Sequence, residues 1–270
     1  MISFLGGLIG LITGSIFSLT ITRTLSPEEY GHWGLILSTV SYFPLILAVI
    51  GYWSTRETAQ KLDSGKTALL STIGLSVIAS TIFIIISFFI VSETETEQNY
   101  FLLATILIPI IFLTSILGSI AYGYKPHVFG VSTIFYGVTQ VISVFIFVYI
   151  LNLGIPGIIF TLTLSYTVSI VVLLAYVHKK IKTSFKNKFL KKWLKLFWIP
   201  LYPSLYLILL QSTILIFVLI TDSIIGVAYW TASLILASMI APSGLISQAV
   251  YPKLLENKQI NFFQDNVTHL

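Results

Sequence analysis

The sequence predicts an all-α integral membrane protein with about eight transmembrane helices. Of its 270 residues, 56% are hydrophobic and only 9% are charged, and the mean hydropathy is +0.95. A soluble domain is about a quarter charged, so this chain lacks the charge to cover a surface in water. Its apolar runs approach the roughly 20 residues that a helix needs to cross a bilayer. They do not alternate with the period of two that is typical of a transmembrane barrel.

The apolar runs divide the chain into eight predicted spans. We place them at residues 2–22, 32–53, 69–91, 101–122, 131–152, 157–177, 196–220 and 228–248. No convincing cleavage site follows the first run, so we interpret it as a retained span rather than a signal peptide. A basic linker separates a six-helix lobe from a helix pair, which gives four predicted regions: 1–178, 179–195, 196–250 and a tail at 251–270.

The basic residues lie almost entirely on one side of these spans. When the loops are assigned alternately to two sides, 14 of the 15 basic residues fall on the side of the N-terminus, and Arg23 falls on the other. The positive-inside rule places the lysine-rich side in the cytoplasm. We therefore expect a multi-pass protein of the plasma membrane with both termini in the cytoplasm. At the cytoplasmic end of the second span, Arg56 and Glu57 are expected to form a local ion pair.

The linker 179–195 mixes lysines with Phe185, Phe189 and Trp193. This mixture predicts an amphipathic helix that lies on anionic lipid.

The loop between the first two spans contains a helix-start signal, Ser26-Pro27-Glu28-Glu29. Ser26 is a favourable N-cap, and Pro27 suits the first helical position. Glu29, at the third position, closes a capping box. The motif predicts that the chain crosses the membrane, turns on a capped corner and crosses back.

Proline and glycine mark two further features. The segment 154–157, Gly-Ile-Pro-Gly, predicts a tight turn between the fifth and sixth spans. Pro109, inside the fourth span, predicts a kink in that helix.

A shift of 199 residues aligns the last two spans with the first two. Arg23 then falls on Asp222 and Tyr30 falls on Tyr229. Repeated helix bundles with the substrate path between them are typical of transporters. Apolar helices also match by chance, so both interpretations remain open.

Two segments carry a family resemblance. Residues 23–31 read Arg-Thr-Leu-Ser-Pro-Glu-Glu-Tyr-Gly, and the second span ends with Gly51 and the segment 56–59, Arg-Glu-Thr-Ala. With these segments the chain resembles the polysaccharide (O-antigen type) flippases of the multidrug/oligosaccharidyl-lipid/polysaccharide export superfamily. The resemblance implies two six-helix lobes that flip a polyprenyl-linked saccharide across the membrane by alternating access. This chain matches a six-helix first lobe and the first helix pair of a second lobe.

Two other functions stay open. Because the chain is shorter than members of that family, it is alternatively a relative without independent transport, acting as a structural or assembly subunit. A transporter of this length would complete its cavity with a second lobe or with further copies of itself. The third interpretation is a drug/cation antiporter of the same superfamily. That function would favour acidic residues deep in the first lobe, and the predicted spans contain none there.

Four polar residues are candidates for substrate binding and gating. Arg23 is expected to line the outer mouth and bind the pyrophosphate, or else to cap the first span and pair with a nearby glutamate. Gln140 and Gln211 are expected to hydrogen-bond sugar hydroxyls, or else to join packed helices. Asp222 is expected to couple a cation or to gate the outer mouth with Arg23, or else to be a solvated loop carboxylate.

Enzymatic chemistry is not predicted. The chain has no cysteine, its four histidines lack metal-ligand spacing, and it has no glycine-rich phosphate loop. We therefore expect no catalytic residue, no metal and no cofactor. The expected partners are a polyprenyl-linked saccharide and membrane lipids, and nucleic acid is not among them.

Overall fold

The computed structural model describes residues 2–94, 96–221 and 223–239, and within these ranges it contains helices and no strands. The helices are α1 (Ile2–Thr24), α2 (Pro27–Ala59), α3 (Gly65–Thr94), α4 (Gln98–Ala104), α5 (Leu107–Tyr124), α6 (Pro126–Val144) with a π-helical continuation (Phe145–Ile150), α7 (Gly154–Ile181), α8 (Asn187–Lys195), α9 (Trp198–Thr221) and α10 (Ile224–Met239). Six helical segments in these ranges are long and apolar enough to span a membrane, with α4 and α5 forming one segment and α6 and its continuation another. The predicted fold class is confirmed.

The capped corner between α1 and α2 forms as predicted. The Ser26 hydroxyl accepts a hydrogen bond from the Glu29 backbone N–H at 3.1 Å, and the Glu29 carboxylate accepts one from the Ser26 N–H at 3.0 Å. Because this box starts the helix, α2 begins at Pro27 rather than at residue 32 and runs for 33 residues. At 1.5 Å per residue α2 is about 50 Å long, so its ends extend beyond the roughly 30 Å hydrocarbon layer.

Proline explains two helix boundaries. The predicted kink is a two-residue break between α4 and α5 that begins at Thr105. In a continuous helix Pro109 would have no N–H for the Thr105 carbonyl, and its ring would clash with that carbonyl. The turn expected in the Gly-Ile-Pro-Gly segment lies earlier in the chain. Asn152 and Gly154 adopt the left-handed backbone conformation there, with φ of 49° and 57°, and Pro156 fits into the first turn of α7.

α1 and α6 pack through a seam of small residues. A Cβ atom on Gly6 would lie 2.5 Å from the carbonyl oxygen of Gly130, and one on Gly130 would lie 2.7 Å from the Cα of Ser3. Further along the seam, a Cβ atom on Gly137 would clash with the Thr13 hydroxyl. Small residues allow two backbones to approach closely, which is a principal mode of helix association in membranes.

Two apolar clusters fill the bundle around its longer helices. The larger cluster packs Phe83, Phe101 and Phe112, all fully buried, against α2 and α7. The second cluster surrounds Trp53 and Trp193 near the opposite end of α2.

α9 and α10 both pack against α2. Leu35 of α2 is buried against Ile214 and Val227, and a Cβ atom on Gly34 would lie 2.6 Å from the Thr231 hydroxyl. The division into lobe, linker and helix pair stays a prediction. The predicted tail at 251–270 lies outside the described residues.

Basic side chains gather at one end of the bundle, which we call the lysine end and define by Arg56, Lys125, Lys180 and Lys192. Lys125 and Lys180 both lie over the Tyr124 ring, at 5.2 and 5.3 Å from its centroid. Like charges sharing one ring are held there by cation–π attraction.

Candidate functional site

A cavity of about 440 Å³ lies among α1, α2, α5, α6 and α7, and we call it the central cavity. A second cavity of about 290 Å³, the α1 cavity, lies among α1, α2 and α10. The two share Phe17, Trp33 and Leu37 in their walls. The two cavities are therefore neighbours inside the helix bundle, and each has a few polar groups in a mainly apolar wall. Transporters bind their substrates in such places between helices.

The α1 wall is built from one face of that helix. Gly10, Gly14, Phe17 and Ile21 recur at helical spacing and line the α1 cavity, together with Leu11, Ser15 and Ser18 beside them. A Cβ atom on Gly14 would meet nothing within 4 Å. The space next to Gly14 therefore belongs to the cavity and is not needed for helix packing.

The α6 and α7 wall carries the polar groups. Tyr136 and Gln140 stand one helical turn apart on α6, and the Gln140 side-chain amide donates to the Tyr136 hydroxyl at 3.2 Å. The ring of Tyr166, from α7, lies 4.8 Å from that of Tyr136. This wall presents an amide and two phenol groups to the cavity, with ring edges and faces between them.

The α2 wall includes a proline in mid-helix. Pro44 and Val40 both line the central cavity, beside Ser41. Pro44 has no N–H, so the Val40 carbonyl lacks its usual helical donor. The Ser41 hydroxyl donates to the Leu37 carbonyl at 2.6 Å. Pro44 thus interrupts the backbone hydrogen bonding of α2 at the depth of the cavity.

Among the residues that the structure describes, none in the walls of the two cavities is charged. A cationic cavity would have suited the anionic head group of the expected substrate. Arg56, Lys125, Lys180 and Lys192 are instead at the lysine end, where they contact aromatic rings. The site is therefore suited to neutral polar or aromatic groups.

The structure brings one of the four predicted site residues to the cavity. Gln140 lines the central cavity and is 5% exposed. Arg23 is exposed at the end of α1, outside both cavity walls, and no described carboxylate lies within ion-pairing distance of it. Gln211 lies in α9, but its side chain is not among those the structure describes, and Asp222 lies outside the described residues. The roles given to these four residues stay predictions.

The local ion pair expected between Arg56 and Glu57 is wrong. Glu57 is fully buried and pairs with Lys192 of α8, whose Nζ lies 3.1 Å from Glu57 Oε1. Adjacent residues on a helix do not face each other. The Arg56 guanidinium lies instead over the Trp53 ring, 5.7 Å from its centroid.

Sequence reasoning missed the aromatic wall and the proline of α2. Tyr136, Tyr166, Trp33 and Pro44 were not among the predicted site residues. Two signals pointed to them. Tyr136 shares a helix face with Gln140, and Pro44 interrupts the hydrogen bonding of an otherwise regular span.

No three His, Cys, Asp or Glu side chains come together as a metal site among residues 2–94, 96–221 and 223–239. The groups that line the cavity offer hydrogen bonds and ring contacts.

Several solved structures share this fold. The MATE multidrug transporter DinF-BH in complex with R6G matches with a TM-score of 0.67 and 16% identity, over 95% of this chain and 63% of that one. A MATE transporter in the bent conformation matches with a TM-score of 0.64 and 18% identity, over 93% and 64% of the two chains. A MOP superfamily transporter from Pyrococcus furiosus, described as having a binding pocket of reverse polarity that suggests a different function, matches with a TM-score of 0.64 and 13% identity. It is matched over 94% of this chain and 67% of its own.

No protein family model matches the sequence, and no curated protein matches it either. The structural neighbours include MATE transporters, one of them described as a member of the MOP superfamily, and the chain shares their fold. The chain spans 63% of the length of DinF-BH. At these identities the likeness shows the fold, and the flippase subfamily stays a prediction.

Proposed function

We propose that this chain takes part in flipping a lipid-linked oligosaccharide or polysaccharide precursor across the plasma membrane by alternating access. The observation that carries the proposal is the uncharged cavity lined by Gln140, Tyr136, Tyr166 and Trp33. An amide and phenol hydroxyls hydrogen-bond sugar hydroxyls, and aromatic rings pack on the apolar faces of sugar rings. An unpaired polar group in a membrane costs roughly several kcal/mol. Hydrogen bonds to this lining would therefore lower the free-energy barrier to moving a saccharide across the bilayer.

The anionic head group needs a different site, since the described residues of the cavity walls include no cation. We assign the pyrophosphate to Arg23, the exposed cation at the end of α1 opposite to the predicted cytoplasmic side. Its guanidinium suits a bidentate contact with phosphate oxygens. The lipid tail remains in the bilayer. In the orientation we propose, the lysine end faces the cytoplasm.

The proposal also includes a partner that completes the wall of the central cavity. The solved neighbours are longer than this chain, which covers 63–67% of them. We propose that a second lobe, or a second copy of this chain, faces the central cavity and completes the alternating-access unit.

A second candidate is the export of organic cations. Two observations favour it: aromatic rings in the cavity attract cations, and the neighbours include multidrug transporters. A cation-coupled exporter also needs an ionisable group that competes with the drug. The cavity walls in the described part of the chain lack a carboxylate, so we place this candidate second.

Binding to the purified protein in nanodiscs separates the candidates. Native mass spectrometry would compare a polyprenyl-pyrophosphate oligosaccharide, the same polyprenyl pyrophosphate without sugar, and rhodamine 6G. We expect the oligosaccharide-bearing lipid to bind at least tenfold more tightly than the sugar-free lipid. Gln140→Leu removes one or two hydrogen bonds to the sugar, so it should reduce the preference for the oligosaccharide-bearing lipid about tenfold.

Tyr149→Phe is the matched control, because Tyr149 is 61% exposed and lies outside both cavity walls. It should leave the preference for sugar unchanged. Equal binding of the two lipids would contradict the proposal, and selective binding of rhodamine 6G would establish the second candidate. Binding of none of the three would favour the structural or assembly subunit.

A further inference from the structure

The linker helix α8 is fixed to the lysine end by its inner face. Trp193 is 1% exposed, and the Lys192 ammonium pairs with the buried Glu57. Ser64, like Trp193 and Glu57, is buried at this end of the bundle. The apolar side of α8 is thus covered by protein, and the predicted contact of this helix with lipid stays a prediction.

The depth of α8 follows from its partners. Trp193 packs in one cluster with Trp53 of α2 and Ala68 of α3. Trp53 lies about 9 Å before the end of α2, and Ala68 lies about 5 Å after the start of α3. α8 therefore lies alongside the last turns of the spans, at the level of the lipid head groups.

The outer face of α8 is cationic and apolar at once. Lys188, Lys191 and Lys195 are exposed at helical spacing. Leu194, between them, is 64% exposed, and Trp198, just beyond the helix, is 60% exposed. In water such large apolar side chains next to cations would be costly, and a lipid interface accommodates both.

We propose that this outer face of α8 is a binding surface for anionic phospholipid head groups. Lys188, Lys191 and Lys195 reach the phosphates, and Leu194 and Trp198 enter the boundary between head groups and acyl chains. The bilayer is the occupant because the spans place it beside α8, and because its anionic charge complements the lysines. The surface is separate from the cavity, so the inference does not depend on the transported molecule.

The test is made on the whole protein in nanodiscs that mix phosphatidylglycerol and phosphatidylcholine. Native mass spectrometry would measure the phosphatidylglycerol retained by the native chain and by the triple variant Lys188→Gln/Lys191→Gln/Lys195→Gln. Each lysine near an anionic surface is worth about fivefold in association. We expect the triple variant to lose at least tenfold of the preference for phosphatidylglycerol at low salt. The loss should shrink at high salt, because the Debye length falls to about 3 Å at 1 M.

A control with the same change in charge is Lys61→Gln/Lys66→Gln/Lys179→Gln, which removes three lysines predicted on the same side of the membrane. Its effect should be less than half that of the α8 variant on a logarithmic scale. The chain has no cysteine, so a spin label at Leu194→Cys reports position without background. We expect the label to be more accessible to oxygen than to a water-soluble nickel chelate. Equal effects of the two triple variants, or a water-exposed label, would overturn the proposal.

Discussion

Removing the Lys192 ammonium tests the ion pair that holds α8 against α2. Lys192 Nζ lies 3.1 Å from Glu57 Oε1, and the glutamate side chain is fully buried whereas the lysine side chain is 40% exposed. Lys192→Met keeps the apolar stem but leaves a buried carboxylate without its cation. In the reverse change, Glu57→Gln, the Lys192 ammonium loses its partner but can rotate toward water and be solvated. Because Glu57 is more deeply buried than Lys192, we expect loss of the lysine to reduce stability more than loss of the glutamate charge.

In Lys192→Met, Glu57 either stays charged without a partner or becomes protonated. The less costly of these two states sets the loss in the free energy of unfolding. A buried charge that loses its partner costs roughly 3–5 kcal/mol. Protonation of an ordinary glutamate side chain at pH 7 costs about 3.7 kcal/mol, which sets a ceiling. We expect Lys192→Met to lower the free energy of unfolding by about 3 kcal/mol at pH 7. Glu57→Gln loses one charged hydrogen bond while the lysine is rehydrated, so we expect about 1 kcal/mol.

The pH dependence identifies the cause. Protonating a glutamate costs only about 1 kcal/mol at pH 5, so the deficit of Lys192→Met should shrink by about 2 kcal/mol between pH 7 and pH 5. The deficit of Glu57→Gln should not change, because this variant has no carboxyl group at the site. Unfolding in SDS at both pH values, with the double variant included, measures these differences. The reasoning is refuted if Lys192→Met is no worse than Glu57→Gln at pH 7.

Three further predictions concern packing, capping and the cavity. Gly130→Ala places a Cβ atom 2.7 Å from a backbone atom of α1 and should cost about 2 kcal/mol in SDS unfolding, whereas Gly74→Ala, with open space around it, should be neutral or stabilising. Ser26→Ala removes the N-cap of α2 and should cost about 1 kcal/mol in the same assay, and an unchanged midpoint would show that the cap is dispensable. Gly14→Leu fills the α1 cavity, so native mass spectrometry should show weaker binding of the lipid-linked saccharide while SDS unfolding shows unchanged stability. Loss of stability in this variant would mean that the space is needed for packing.

The spans and the capped corner were predictable because both depend on local chemistry. A run of apolar residues has no stable place in water, whatever its neighbours. The reciprocal bonds of Ser26 and Glu29 join residues three apart, so the sequence contains the whole motif.

The cavity was not predictable in the same way, because the spans are apolar on all sides and carry no stripe that marks the inner face. Gln140 stood out as a lone amide in an apolar span. Tyr136 and Tyr166 did not, since the chain has 14 tyrosines and 19 phenylalanines. The partner of Glu57 was missed for a related reason. Lys192 is 135 residues away in sequence, and only the folding of α8 against α2 brings the two together.

The seam between α1 and α6 limits how this protein can change shape. The close contact at Gly6 and Gly130 leaves no room for one helix to slide past the other. We therefore expect α1 and α6 to move together as a rigid pair. Phe17 of α1 and Gln140 of α6 belong to this pair, so we expect the distance between them to stay constant. Trp33 belongs to α2, so we expect its distance from both residues to change. In the alternating-access cycle that we propose, we expect the central cavity to open and close by a hinge movement of the α1–α6 pair against α2. Paired spin labels on α1 and α6 should hold one distance throughout the cycle, and labels on α1 and α2 should not.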